Sequence, residues 1–179
     1  MIIYFVRHAS AGESVSNPKK DEKRPLDSDG IEQCGIVGRA LAALNVQPEV
    51  VISSPLKRAT QTASLLGNEL GYEGKLQLET AMRPEASFAD FRKMLEKYSR
   101  YESVMVVGHN PSITDFLARM MVKSGSEALV DFKKSGVARV ETMRHAAILN
   151  WFLTPKIVRA IQTAATTAAE KSRQKTSRK

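Results

Sequence analysis

Three short stretches of this chain place reactive side chains directly after runs of apolar residues. Arg7-His8 follows Ile2 to Val6, Lys57-Arg58 follows the segment Glu49 to Pro55, and Gly108-His109 follows Ser103 to Val107. An arginine guanidinium is a planar fork of N–H donors that matches the nonbridging oxygens of a phosphoryl group through paired, charge-assisted bonds. A histidine supplies a neutral imidazole near pH 7 for attack on phosphorus, and neighbouring arginines help by disfavouring imidazolium. Two imidazoles and two guanidiniums in one cleft would therefore hold and attack a phosphoryl group. No cluster with metal-ligand spacing accompanies them, and nothing in the sequence calls for a cofactor.

Residues so far apart in the chain meet only if the elements before them end at one place. Ile2 to Val6 reads as a buried strand, and the polar stretch Ala9 to Pro25 as a loop. Asp27-Ser28-Asp29-Gly30 offers caps for a helix running to about Leu44, and Glu49 to Ser53 reads as a second strand. Ser54-Pro55 is expected to open the next helix, which Gly71 stops. Lys75 to Leu78 predicts a short strand, Ser87 to Tyr98 a helix, and Ser103 to Val107 a third buried strand. Ser112 is expected to cap a helix ending near Met121, while Val137 to Glu141 and Ile148 to Phe152 fit a late hairpin. The alternation predicts an α/β fold, a three-layer α/β/α sandwich with a mostly parallel central sheet. In such sheets the site lies outside the carboxyl ends of the strands, which is where the candidate residues fall.

The three stretches together are specific. Val6-Arg7-His8-Ala9, Ser53-Ser54-Pro55-Leu56-Lys57-Arg58-Ala59-Thr60-Gln61-Thr62-Ala63 and Val107-Gly108-His109-Asn110-Pro111 resemble the three signatures of the histidine phosphatase, or phosphoglycerate mutase-like, superfamily. The shortness of the chain, Arg24-Pro25-Leu26 followed by Gly30, and Ser135-Gly136-Val137-Ala138 make it most similar to the SixA-type phosphohistidine phosphatases. The resemblance covers residues 1 to 155, read as the histidine phosphatase domain. It implies that His8 attacks phosphorus in line and is transiently phosphorylated, while Arg7 and Arg58 hold the phosphoryl oxygens and His109 donates to them. It further implies that Arg24 lines the pocket. Many members carry a glutamate that protonates an alcohol leaving group, but its aligned position here is Ala81, with Glu79 and Glu85 near enough to replace it. Glu85 is therefore a possible acid, with surface charge as its alternative. Loss of the acid favours a phosphohistidine substrate, whose imidazole can leave as a neutral molecule.

Composition agrees with an ordinary globular domain: 42% of residues are hydrophobic and 26% charged. The single cysteine, Cys34, reads as a buried small residue and suits a reducing, cytoplasmic compartment; the N-terminus lacks the features of a secretory signal. The net charge of +8 is concentrated in residues 156 to 179, where seven lysines and arginines face only Glu170, giving +6 and leaving +2 for the rest. This basic tail is expected to be partly helical or disordered. It could touch RNA or a membrane nonspecifically, but it does not explain the three strand-end motifs, so neither specific nucleic acid nor membrane is expected as a partner. His145 reads as solvent-exposed in a charged turn. The expected partner is a phosphorylated protein, such as a histidine phosphotransfer domain of a bacterial signalling relay, or else a small phosphorylated substrate. A noncatalytic phosphate- or phosphoprotein-binding module is the reading from another class, and retention of His8 speaks against it. No motif specifies an oligomeric state.

Overall fold

The computed structural model describes residues 1–122, 130–144 and 146–176, so His145 lies outside the described residues. Its centre is a six-stranded sheet built from β1 (Ile2–Arg7), β2 (Val50–Ser53), β3 (Gln77–Leu78), β4 (Ser103–Gly108), β5 (Val137–Thr142) and β6 (Ala147–Leu153), in the order β3-β2-β4-β1-β5-β6. The first four of that order run parallel, whereas β5 and β6 are antiparallel additions. The apolar runs of β1, β2 and β4 are buried on both faces, as parallel strands between two helical layers must be.

Alternation along the strands divides the core in two. Tyr4, Val6, Val51, Met105 and Val107 pack with Cys34, Val37 and Leu41 of α2 (Ser28–Ala43) and Ala59, Ala63 and Leu66 of α3 (Lys57–Glu69). Ile3, Phe5, Ile52, Val104 and Val106 face the other way. They meet Phe91 and Met94 of α4 (Phe88–Lys97) and Ile113, Phe116 and Leu117 of α5 (Ser112–Met121). Phe91 and Phe116 stack at 4.6 Å between centroids. The fold is the expected three-layer α/β/α sandwich. Cys34 is buried beneath the first layer, and that burial pushes its thiol up to about 12.

Several local expectations change. The stretch Ala9 to Pro25 is not loop throughout: Asn17 caps a five-residue helix, α1 (Pro18–Glu22), which buries none of its residues and so left no apolar periodicity to read. Helix α3 begins at Lys57 rather than at Pro55, because Ser54 still donates its N–H to Val107 in the sheet at 2.9 Å. Ser112 is the first residue of α5, not its cap; its hydroxyl lies 3.0 Å from the carbonyl oxygens of Arg83 and His109. The strand expected over Lys75 to Leu78 shrinks to Gln77–Leu78. The segment after Leu153 forms α6 (Pro155–Thr176), which rests on α2 through buried Val158 and an Arg159–Glu32 ion pair. Among the described residues no helix is long and apolar enough to cross a membrane.

Candidate active site

The chain leaves β1 for α2 on one face of the sheet and leaves neighbouring β4 for α5 on the other. A crevice opens where adjacent strands send their connections to opposite faces. Register then sets its contents. Arg7 pairs with Gly108, so His8 and His109 emerge side by side, with the His8 N–H bonded to the Gly108 carbonyl at 2.9 Å. The imidazole centroids lie 4.9 Å apart, and both rings are buried. The end of β2 joins them through Ser54, whose hydroxyl is 2.8 Å from His109 Nε2.

His8 Nδ1 lies 2.7 Å from the carbonyl oxygen of Ala9. A carbonyl can only accept, so Nδ1 carries the proton and Nε2 keeps the lone pair. The Ala9 backbone is itself fixed: its N–H donates to Thr62 Oγ1 at 3.1 Å, and Thr62 donates to the Arg58 carbonyl at 2.7 Å. One threonine, a helical turn beyond Arg58, thus ties the loop after His8 to α3.

Arg7 and Arg58 are each held by one nitrogen. Arg7 Nη1 donates to the Phe132 carbonyl at 2.7 Å; Arg58 Nη1 donates to the carbonyl of Asp21 at 2.9 Å and to its Oδ2 at 3.1 Å. Among the described residues, four buried side-chain polar atoms have no partner: Arg7 Nε, Arg58 Nε, His109 Nδ1 and Ser135 Oγ. Buried donors without partners are rare and call for an explanation. Three of these belong to the residues that converge here.

Electrostatics keep both imidazoles neutral. Burial foremost, then Arg58, Arg7 and Arg24, push His8 down to about 3, with the Ala9 bond opposing. Burial, then His8 and Arg58, push His109 down to about 2. Burial also lowers Arg7 and Arg58, against the carboxylates of Asp131 and Asp21 respectively.

The remaining candidates are placed less centrally. Arg24 donates Nε to Asp21 at 2.8 Å and Nη1 to the carbonyls of Ala11 at 2.6 Å and Gly12 at 3.2 Å, so it braces the loop while its charge reaches His8. Glu85 is exposed and accepts from Arg83 Nε at 2.7 Å; burial would raise its pKa, but the Arg83 bond lowers it overall. Glu79 accepts from the Tyr98 hydroxyl at 3.0 Å and pairs with Lys97. Both carboxylates, with Ala81 and Arg83, line a cleft of about 480 Å³ whose walls include neither imidazole. Ser10 donates its hydroxyl to Asp27 at 2.8 Å.

Three participants escape sequence reasoning. Asp21 joins Arg24 to Arg58, Thr62 supports Ala9, and Ser135, at φ 54°, donates its N–H to the carbonyls of Arg7 and His8. The three-residue spacing of Asp21 and Arg24 was a usable signal, had the segment been read as helix.

The profile of the histidine phosphatase superfamily, branch 1, matches residues 3–102. The chain belongs to that superfamily. It is 24% identical to the phosphohistidine phosphatase SixA of Escherichia coli K12, over 90% of this chain and all of that protein. The structure of the histidine phosphatase SixA complexed with tungstate superposes with a TM-score of 0.78 at 23% identity, covering 88% of this chain and 99% of the other. A phosphoglycerate mutase of Bacillus anthracis superposes at 0.67 with 12% identity, over 89% and 95% of the two chains. The likeness to both shows a phosphoglycerate mutase-like fold, and membership of the superfamily together with similarity to SixA supports phosphatase activity.

Proposed function

We propose that this chain is a phosphohistidine phosphatase that works through a phosphorylated His8 without a metal or cofactor. The observation that carries the proposal is the neutral Nε2 of buried His8 beside arginines whose Nε donors are unused by the protein. A tetrahedral oxyanion complements those donors, and tungstate, the ion complexed by the similar SixA, has that shape.

In the first step the Nε2 lone pair attacks phosphorus in line, and the P–N bond to the substrate imidazole breaks. When the substrate ring arrives protonated, it departs as a neutral imidazole, so no enzyme acid is required. Arg7 and Arg58 hold the equatorial oxygens as charge spreads over them. With the Ser54 hydroxyl donating to Nε2 of His109, that ring carries its proton on Nδ1, the atom left without a protein partner, and offers it to the same oxygens. Water then attacks the phosphorus on His8; the P–N bond breaks, phosphate takes the water's proton and neutral His8 returns. Arg24 contributes its positive charge from the loop.

The choice of phosphohistidine over a phosphate ester rests on the leaving group. General acid help is worth about 10²–10⁴-fold where an alkoxide must leave. Here Ala81 cannot supply it, and Glu85 is held ionised by Arg83. The proposed partner is a phosphorylated protein such as a histidine phosphotransfer domain, and the proposed setting is the cytoplasm, which suits the lone buried thiol.

The test is phosphate release from a phosphohistidine protein and from an alkyl phosphate, in EDTA, with His8→Ala as the blank. A strong preference for phosphohistidine that vanishes in His8→Ala is the expected result. Equal or faster ester hydrolysis would keep His8 but turn the search for an acid to Glu79 and Glu85. No turnover of either would favour a binding module.

A further inference from the structure

Helix α1 lies against the site without any apolar anchor, since none of its residues is buried. Polar contacts alone fix it. Asn17 caps it, Glu22 pairs with Arg83, and Asp21 makes the connections to the cleft. Oδ1 of Asp21 accepts from Arg24 Nε at 2.8 Å and from the Val15 N–H at 3.1 Å, while Oδ2 and the backbone carbonyl both receive Arg58 Nη1. Arg58 is one of the arginines whose charge acts on His8.

Arg7 shows what such a contact accomplishes. Its Nη1 is held by a carbonyl, Phe132, and its buried Nε is left unengaged. Arg58 repeats the pattern, with Asp21 in the place of Phe132. A guanidinium is planar, so fixing one Nη fixes where the remaining N–H groups point. We infer that Asp21 is a positioning residue, which aims the free donors of Arg58 at the phosphoryl oxygens and ties that aim to the docking of α1.

A carboxylate beside Arg58 weakens the field felt by an incoming anion. On a purely electrostatic account, removing it tightens oxyanion binding. If Asp21 positions Arg58, removing it weakens binding even though the site gains a positive charge.

Calorimetric titration of the full chain with tungstate decides between them, comparing wild type with Asp21→Ala and Asp21→Asn. Both variants lose the same charge and keep the backbone carbonyl, but asparagine also keeps one side-chain acceptor. Positioning predicts about a tenfold weaker Kd for Asp21→Ala, the scale of one lost hydrogen bond to a charged group. Asp21→Asn should bind more tightly than Asp21→Ala and no more tightly than wild type. Unchanged or tighter binding by folded Asp21→Ala, or equal affinities in the two variants, would overturn the inference. Should Asp21→Ala not fold, Asp21→Asn decides alone, and tighter binding than wild type overturns it. The role in turnover rests on the proposed function, whereas the tungstate readout does not. Failure of phosphohistidine hydrolysis with this affinity pattern intact would sink only the substrate reading.

Discussion

His8 and His109 are nearly dry and face cations, so each keeps its lone pair at pH values where an ordinary histidine is half protonated. With His8 held near 3 and His109 near 2, the C–H resonances of both rings should stay at neutral-form shifts from pH 8 to pH 5. A titration of His8 centred near 6.5 would remove the basis for calling it a ready nucleophile. The strand-end residues were legible because each follows an apolar run closely in the chain, so local sequence and one register suffice to place them. Asp21 and Thr62 were not, because their partners Arg58 and Ala9 are distant in sequence and only the folded chain brings them near. A carboxylate in a polar stretch and a hydroxyl on a helix look like surface until that happens.

The joint between β1 and α2 shows how an element carries a site. Asp27 caps α2 through the Gly30 N–H at 2.7 Å, and its other oxygen receives the Ser10 hydroxyl at 2.8 Å and the Gly12 N–H at 2.7 Å. Losing a cap alone costs about 0.5–2 kcal/mol. Asp27→Ala should therefore lower stability by at least that much in urea unfolding, and should slow turnover because the loop after His8 loses its tether. Gly30 enters the same contact. Replacing an interior helical glycine with alanine ordinarily stabilises by about 1 kcal/mol, but here a Cβ would run into the Ser10 backbone carbonyl. Gly30→Ala is expected to reverse that sign, lowering both the melting temperature and kcat/KM; a more stable, fully active variant would show that the loop can yield. Long periodic elements such as α2 and the buried strands were legible from pattern. Helix α1 was not, since five exposed residues offer neither period nor hydrophobic face, and Ser112 misled because a serine after proline suits a cap as well as a first turn.

At the scale of the whole molecule the two imidazoles make folding sensitive to acid. The unfolded chain protonates them near pH 6.5 and the folded chain only near 3 or below, so between those values the unfolded state binds more protons. Their contribution is complete above pH 6.5 and is lost as pH falls toward 3. Asp21, held near 2 by Arg24, Val15 and Arg58 against the effect of burial, adds a loss of the same sign lower down. Urea midpoints at pH 7, 6 and 5 should fall in sequence; equal midpoints at pH 7 and pH 5 would contradict it. The sheet order has a further effect, on synthesis. Strand β1 leaves the ribosome before either of its neighbours, β4 and β5, yet it lies between them at the middle of the sheet. A nascent chain exposes the His8 strand with no lateral partner until Gly108 has emerged, and with only one until Thr142 has. His8 and His109 therefore meet late in translation, and the apolar β1 is the strand most in need of shielding while it waits.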